Sequence, residues 1–372
     1  MRFPGFEGKW ETKKLGEVSS VSSGGTPSRA NPLYWNGDIP WISTTLIDFN
    51  FIEKSEEYIT QEGLENSSAK LFPIGTLLMA MYGQGKTRGK VAILNIEATT
   101  NQACGAITTN KEVLNPFFAF QNLVKRYDEI RDLSNQGSQE NLSGGIIKGI
   151  EITFPKLPEQ IKITSFLSLI DERIQTQNKM IEQLETLIKG LYQKIFELNR
   201  FQFSILPLKS LCTIKKGEQI NASKLSETGI YYVMNGGILP SGYHSEYNSD
   251  AEIISISEGG NSCGYVQYNH TKFWSGGHCY TLNNIDKIIK NKYLYYYLKA
   301  NENKIKALRV GSGLPNIQKS TLEKFEVKLP NLYEQEKVVL ALGSLSTKIT
   351  VESKLLENYK IQKKHLLQNL FI

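Results

Sequence analysis

The sequence predicts an α+β fold in which two similar mixed α/β domains are each followed by a long helix, as an internal tandem repeat. Three observations support this fold. PKLPEQ at 155–160 recurs as PNLYEQ at 330–335, so that Glu159 and Glu334 differ in number by 175, which we call the repeat offset. The same offset relates other positions without a gap, for example Cys104 to Cys279. A heptad pattern of apolar residues follows each copy of the shared motif.

The repeat divides the chain into four segments, which are a first mixed domain at 1–155, a helix at 156–200, a second mixed domain at 201–330 and a second helix at 331–372. β-Branched and aromatic runs between turn residues, such as IPWIS at 39–43 and KVAIL at 90–94, predict strands. Two longer segments without breakers, 116–133 and 292–308, predict helices inside the domains.

Apolar residues at alternating steps of four and three predict the buried seam of each long helix. In the first copy these residues are Ile170, Ile174, Ile181, Leu184, Ile188, Leu191 and Ile195. In the second copy they are Leu345, Ile349, Leu356, Tyr359, Leu366 and Leu370. A heptad register over about 40 residues, or roughly 60 Å of helix, favours a second helix as partner. A helix that packs only on its own domain is the alternative.

Composition places the chain among ordinary globular proteins. Lys plus Arg is 43 and Asp plus Glu is 37, which gives a net charge of +6, and 40% of the residues are hydrophobic. No apolar run approaches the ~18 residues of a membrane span, and the first residues lack an apolar signal core. We therefore expect a cytoplasmic protein without a membrane partner. Four dispersed cysteines predict core thiols rather than a disulfide framework, and we expect no metal site.

Three incomplete enzyme motifs argue against catalysis by this chain. GQGKT at 83–87 lacks the first glycine of a phosphate loop, because Ala80 stands there, and a strand pattern follows it. NPFF at 115–118 lacks the second proline of the adenine methyltransferase tetrapeptide. The four histidines are scattered without an acidic partner at a telling spacing. We expect a chain that is not an enzyme and binds no cofactor of its own.

The ordered series of segments resembles the specificity subunit of type I restriction–modification enzymes over essentially the whole chain. The segments are WETKKLGEVSSVSSGGTPS, IPWIST, YGQGKTRGKVAI, TTNQACGAI and KLPEQIKITSFLSLIDERI, repeated in part as LPLKSLCTIKKGE, GGHCYTL and KLPNLYEQEKVV. The resemblance implies two target-recognition domains, each reading half of a bipartite asymmetric site in double-stranded DNA. It implies that the two helices pack antiparallel as a coiled-coil spacer.

The resemblance also implies partners. Two copies of a methyltransferase subunit would dock on the helices and carry the S-adenosylmethionine, and the resemblance allows a restriction and translocase subunit in the complex.

Polar and basic residues in the turns are the candidate DNA contacts, because Arg and Lys suit guanine, Asn and Gln suit adenine, and Glu can accept from cytosine. In the first copy they are Arg29, Thr44, Thr45, Gln84, Lys86, Thr87, Arg88, Asn101 and Gln102. In the second copy they are Lys215, Lys216, Asn235, Glu258, Asn261, Ser262 and His278. For each, a phosphate contact or a solvated loop residue is an equal alternative.

Two other classes of function stay open from the sequence. One is a coiled-coil adaptor or structural protein without a DNA role. The other is an enzyme whose active site the motifs do not reveal.

Overall fold

The computed structural model describes residues 2–83, 86–133, 141–196, 202–311, 313 and 315–371. The first half of the chain contains β1 (Glu11–Lys14), α1 (Leu15–Val18), β2 (Ser19–Ser23), β3 (Trp35–Ile42), β4 (Phe51–Ile52), β5 (Glu57–Ile59), α2 (Gln61–Glu65), β6 (Leu77–Ala80), β7 (Val91–Leu94), β8 (Thr99–Thr100), β9 (Cys104–Thr109), α3 (Pro116–Lys125), α4 (Tyr127–Asp132), α5 (Gly144–Gly149), β10 (Glu151–Phe154) and α6 (Leu157–Phe196). The second half contains β11 (Ser204–Pro207), β12 (Thr213–Lys216), β13 (Tyr231–Met234), β14 (Tyr243–His244), β15 (Ile253–Ser257), β16 (Val266–Asn269), β17 (Trp274–Ser275), β18 (Cys279–Asn283), α7 (Asn291–Ala300), α8 (Glu302–Lys306), α9 (Lys319–Leu322), β19 (Glu326–Leu329) and α10 (Leu332–Leu370).

The chain folds into two compact units. Unit 1 comprises residues 1–176 and 355–372, and unit 2 comprises residues 177–354. Each unit therefore contains one mixed domain, about half of α6 and about half of α10.

Unit 1 is built on a five-stranded sheet of order β2-β9-β6-β7-β4. Strand β6 is buried on both faces, because Leu77 and Met79 point into one apolar cluster whereas Leu78 and Ala80 point into another. Helix α3 covers the first face. A three-stranded sheet of order β5-β3-β8 includes a parallel pair between β3 and β8.

Unit 2 repeats this plan. Its main sheet has the order β12-β18-β15-β16, and a three-stranded sheet of order β14-β13-β17 includes the parallel pair of β13 and β17. Ile254 and Ile256 of β15 lie in the same apolar cluster as Leu294 and Leu298 of α7. In both units a two-stranded sheet, β1-β10 or β11-β19, precedes the long helix in the chain.

The repeated Glu-Gln motif begins each long helix through a buried glutamine. Gln160 Oε1 accepts a hydrogen bond from the Asn115 amide at 2.8 Å, and Gln160 Nε2 donates to the carbonyls of Val113 and Pro155 at 2.9 and 2.8 Å. Gln335 makes the same three bonds in unit 2, to backbone groups of Lys290, Ile288 and Pro330 at 2.8, 3.0 and 2.9 Å. Each partner of Gln160 is related by the repeat offset to the corresponding partner of Gln335. These hydrogen bonds give the motif the same structural role in both copies.

In unit 1 the start of α6 packs antiparallel against the end of α10. Asp171 forms an ion pair with Lys363 at 2.6 Å, and Arg173 lies over the ring of Tyr359 at 6.0 Å. The last turn of α10 enters the core of the domain, where Phe371 is 3% exposed and packs on Phe118.

In unit 2 the end of α6 packs antiparallel against the start of α10. Gln177 donates a hydrogen bond to Glu352 at 2.5 Å. Phe196 packs edge-on against Tyr297 and Tyr293. Every predicted seam residue is buried or half-buried.

Most predicted elements are present, with one recurring difference. The segments at 116–133 and 292–308 are each two helices, because the backbone leaves the α conformation at Arg126 (φ −98°) and at Asn301 (φ −100°). These two residues are related by the repeat offset, so the break belongs to the repeated unit. All four cysteines are free and buried, as predicted. Among the described residues, no helix combines the length and apolar character needed to cross a membrane.

Candidate nucleic-acid interface

In unit 1, polar side chains gather where the parallel strands β3 and β8 end. Thr44 and Thr45 follow β3, and Asn101 and Gln102 follow β8. The amide of Asn101 donates to the carbonyl of Ile42 at 3.1 Å, which joins the two turns. Gln102 accepts a hydrogen bond from the hydroxyl of Thr26 at 2.6 Å. The result is a rim of neutral hydroxyl and amide groups, chemistry that suits base edges and phosphates alike.

Arg29 is held in an exposed aromatic and acidic setting. Its guanidinium lies 3.7 Å from the ring centroid of Trp35 and forms a two-pronged ion pair with Glu57. The hydrogen bond from Arg29 lowers the pKa of Glu57, so the pair is charged at neutral pH. Because two of its N–H groups face Glu57, Arg29 has only part of its donor set left for DNA.

The connection between β6 and β7 presents only some of the predicted residues. Lys86 is exposed, and its carbonyl accepts a hydrogen bond from the Tyr127 hydroxyl at 2.6 Å. Thr87 is half-buried, whereas Arg88 is 7% exposed and so differs from the expected surface position. Gln84 lies outside the described residues. Gly89 (φ +81°) closes the connection, as its repeat counterpart Gly264 (φ +83°) does in unit 2, in a conformation that favours glycine.

In unit 2 a charged cluster occupies the corresponding rim. Glu258 accepts from Lys216 Nζ at 2.6 Å and from the Tyr280 hydroxyl at 3.1 Å, and its second oxygen lies 3.7 Å from His278 Nδ1. The amide of His278 donates to Asn235 Oδ1 at 3.2 Å. Burial and then the Glu258 carboxylate raise the pKa of Tyr280, so the phenol is a donor at neutral pH.

Of the remaining candidates in unit 2, two follow Glu258 closely in the chain and one lies on β12. Asn261 is exposed and Ser262 half-buried in a short turn after Glu258. Lys215 is exposed on β12, and strand alternation directs its side chain to the face opposite Lys216. The structure thus groups Lys216, Asn235, Glu258 and His278 but leaves Lys215 apart.

The sequence analysis did not identify the residues that position the candidate DNA contacts. Glu57 and Trp35 position Arg29, and Tyr280 positions Glu258. The signal for Trp35 was its place beside IPWIS between turn residues. Glu57 and Tyr280 gave no local signal, because each lies more than 20 positions from its partner.

One of the rejected motifs, NPFF, has a structural role. Asn115 of NPFF caps α3, since its side chain accepts from the amides of Phe117 and Phe118. Within the described part of the chain, no group of three or more His, Cys, Asp or Glu residues is placed to hold a metal ion.

Comparison with known proteins identifies the family. The family model described as the type I restriction modification DNA specificity domain matches residues 7–186 and 202–359. The chain belongs to this family. The two matches correspond to the two copies of the repeat, so the specificity domain occurs here twice.

Curated relatives named as specificity subunits share about one copy with this chain. The MjaIX type I restriction enzyme specificity subunit of Methanocaldococcus jannaschii is 31% identical over 191 residues, which are 50% of this chain and 44% of that protein. The EcoR124I/EcoR124II specificity subunit of Escherichia coli is 31% identical over 199 residues, 52% of this chain and 48% of that protein. The chain spans about half the length of these curated relatives.

A solved structure shares the fold of this specificity-domain chain throughout. The S subunit of a type I restriction–modification system from M. genitalium aligns with a TM-score of 0.72 at 19% identity, covering 100% of this chain and 99% of that chain. The tandem α+β fold is therefore that of a solved S subunit.

Proposed function

We propose that this chain is the DNA sequence-specificity subunit of a type I restriction–modification complex in the cytoplasm. Each specificity domain reads one half of a bipartite asymmetric site in double-stranded DNA. The observation that carries the proposal is the repetition of one domain with rims of different chemistry. In unit 1 hydroxyl and amide groups follow the parallel strands, whereas in unit 2 the Glu258 carboxylate lies there with Lys216 and His278.

The helices serve as the spacer and the docking platform in this proposal. Two methyltransferase subunits would dock there and supply S-adenosylmethionine and the methyl transfer, and a restriction and translocase subunit would complete a nuclease. Exposed apolar side chains on both helices, such as Leu169 (60% exposed) and Leu340 (64% exposed), support a role in protein contact. The chain itself performs recognition and carries no cofactor.

Mapping of methylated adenines tests the proposal. DNA from cells that contain the chain and its methyltransferase partner is compared with DNA from cells in which only the chain is deleted. We expect a methylated motif with two half-sites and a fixed gap, present only with the chain. The purified chain alone, given S-adenosylmethionine and DNA, should leave the DNA unmethylated.

The open alternatives give different results. If the chain is an adaptor without a DNA role, methylation should be the same with and without it. Its response to DNA should also stay flat in a salt series, whereas binding through phosphate contacts weakens steeply as the salt concentration rises. An unrecognised enzyme predicts methylation or cleavage by the purified chain alone. Either result would overturn the proposal.

A further inference from the structure

The second specificity domain contains a polar cluster that the first domain lacks. Strand pairing sets the equivalence, because Lys216 lies opposite Tyr280 as Ser23 lies opposite Gly105. The carbonyl of Glu258 accepts from Ile317 as that of Met81 accepts from Leu142, and Leu142 and Ile317 are related by the repeat offset. The cluster residues Lys216, Glu258, His278 and Tyr280 thus correspond to Ser23, Met81, Ala103 and Gly105.

Packing in the first domain fills the place of the cluster with apolar side chains. A Cβ atom on Gly105 would lie 2.6 Å from Ile147 Cδ1, so a phenol at this position would require the Ile147 side chain to move. Met81, 7% exposed, lies in the apolar core where unit 2 has its carboxylate. Each domain is therefore packed around its own set of side chains at these positions. The two domains differ in their buried residues and not only at the surface.

Within the cluster, two residues are enclosed and two reach solvent. The Glu258 side chain is 10% exposed, whereas those of Lys216 and His278 are 52% and 62% exposed. Tyr280 fixes the carboxylate from the buried side. The ion pair occupies one of the three Lys216 donors and leaves two for a ligand. The enclosed carboxylate of Glu258 lies next to two exposed donor side chains. It can therefore hold them in position for a ligand in solvent.

We propose that Lys216 and His278 read a guanine in the half-site bound by the second domain, with Glu258 as their positioning residue. This inference rests on the proposed function. The major-groove edge of guanine presents two acceptors, O6 and N7, which match a pair of neighbouring donors. In this proposal Glu258 holds Lys216 and His278 in position and does not itself accept a hydrogen bond from cytosine. Its first oxygen already accepts from Lys216 and Tyr280.

The test uses the full chain together with its methyltransferase partner, with methylated motifs mapped in cells. Lys216→Ala and Glu258→Gln are compared with the wild type and with Lys209→Ala, which removes the same charge from an exposed lysine between β11 and β12. We expect Lys216→Ala and Glu258→Gln to lower the preference for guanine roughly tenfold at the same position of one half-site. The other half-site, and the motif of Lys209→Ala, should be unchanged.

The outcomes separate this inference from the proposed function. A wild-type motif that persists unaltered in Lys216→Ala overturns the guanine assignment while the specificity role stands. Lys216 is half exposed, so this variant remains informative even if Glu258→Gln does not fold. Equal weakening at all positions identifies a phosphate contact and also overturns the assignment. Absence of any chain-dependent motif in the wild type defeats the proposed function instead.

Discussion

Buried glutamines show how single residues join a specificity domain to its helix. Gln160 is fully enclosed and satisfies one amide and two carbonyls from two separate stretches of chain. A buried backbone group without a partner costs about 1–3 kcal/mol. The glutamine is therefore required by three groups at once, which explains why Gln160 and Gln335 are both retained in a repeat that diverges elsewhere.

Gln160→Met is predicted to destabilise unit 1. Methionine has nearly the same shape but cannot donate or accept these bonds, so the loss should be about 1–3 kcal/mol for each orphaned group. Hydrogen exchange should show the Asn115 amide exchanging faster, and thermal unfolding should begin at a lower temperature.

Gln175→Ala is the matched control for that substitution. Gln175 is exposed and donates a long hydrogen bond of 3.4 Å to Glu53, and its loss should change stability by less than about 0.5 kcal/mol. If Gln160→Met matched this control, the three hydrogen bonds would not support the domain.

The sequence was sufficient to identify candidate residues but not to predict the contacts of their side chains. The segments that carry Lys216, Glu258 and His278 could be identified from the sequence, because each contains basic or polar residues beside glycines. Their contacts could not, since Lys216 and Glu258 are 42 positions apart and only the fold brings them together. Arg88 illustrates the same limit, because its sequence context in a polar turn contains no information about its burial.

At the scale of elements, the polar interruption in the heptad seam is a specific pair. Gln177 and Glu352 are repeat equivalents, related by the repeat offset, and they contact each other in unit 2. Gln177 is 6% exposed, so its amide depends on this partner. An amide opposite a carboxylate is satisfied, whereas two carboxylates in the same place would repel each other.

Gln177→Glu should therefore lower the free energy of unfolding at neutral pH by about 1–2 kcal/mol. Combining it with Glu352→Gln exchanges the two groups and should restore most of the loss. A double-mutant cycle on the full chain, followed by chemical denaturation, measures this coupling. Additive effects of the two substitutions would show that the pair contributes no interaction of its own.

Periodicity predicted the seam and favoured a helical partner, whereas the antiparallel direction of packing followed only from the family resemblance. A heptad pattern reports which face of a helix is buried, and that is why the predicted seam residues are buried or half-buried. The antiparallel contacts of Asp171 with Lys363 and of Gln177 with Glu352 depend on where the chain returns after the second domain. The helix breaks at Arg126 and Asn301 escaped prediction because neither residue is a strong breaker.

At the scale of the whole molecule, each domain is completed by the helix of the other repeat. The core of unit 1 includes three residues from the end of α10 and the residue that follows it, namely Leu366, Leu367, Leu370 and Phe371. Their counterparts by the repeat offset pack into the core of unit 2, and these are Leu191, Tyr192, Ile195 and Phe196. Phe371 on Phe118 and Phe196 on Tyr293 are equivalent contacts. A single repeat therefore contains a domain whose core lacks the apolar helix end that completes it. The same repeat also contains a helix end that could complete the core of another domain.

The fragment 1–200 is accordingly predicted to form a two-fold symmetric dimer through antiparallel helices. Without residues 366–371 its domain would expose apolar core surface, which costs free energy in water. The end of α6 from a second copy supplies apolar residues at all four missing positions, and Gln177 would meet an uncharged Gln177. Two-fold symmetry in the protein imposes two-fold symmetry on the site, so the methylated motif should become an interrupted palindrome of the first half-site. Phe196→Ala in the fragment should weaken the dimer, whereas Leu187→Ala, at a side chain that is 50% exposed, should not. Sedimentation that shows a folded monomer, or methylation still directed to the asymmetric site, would contradict the exchange of helix ends.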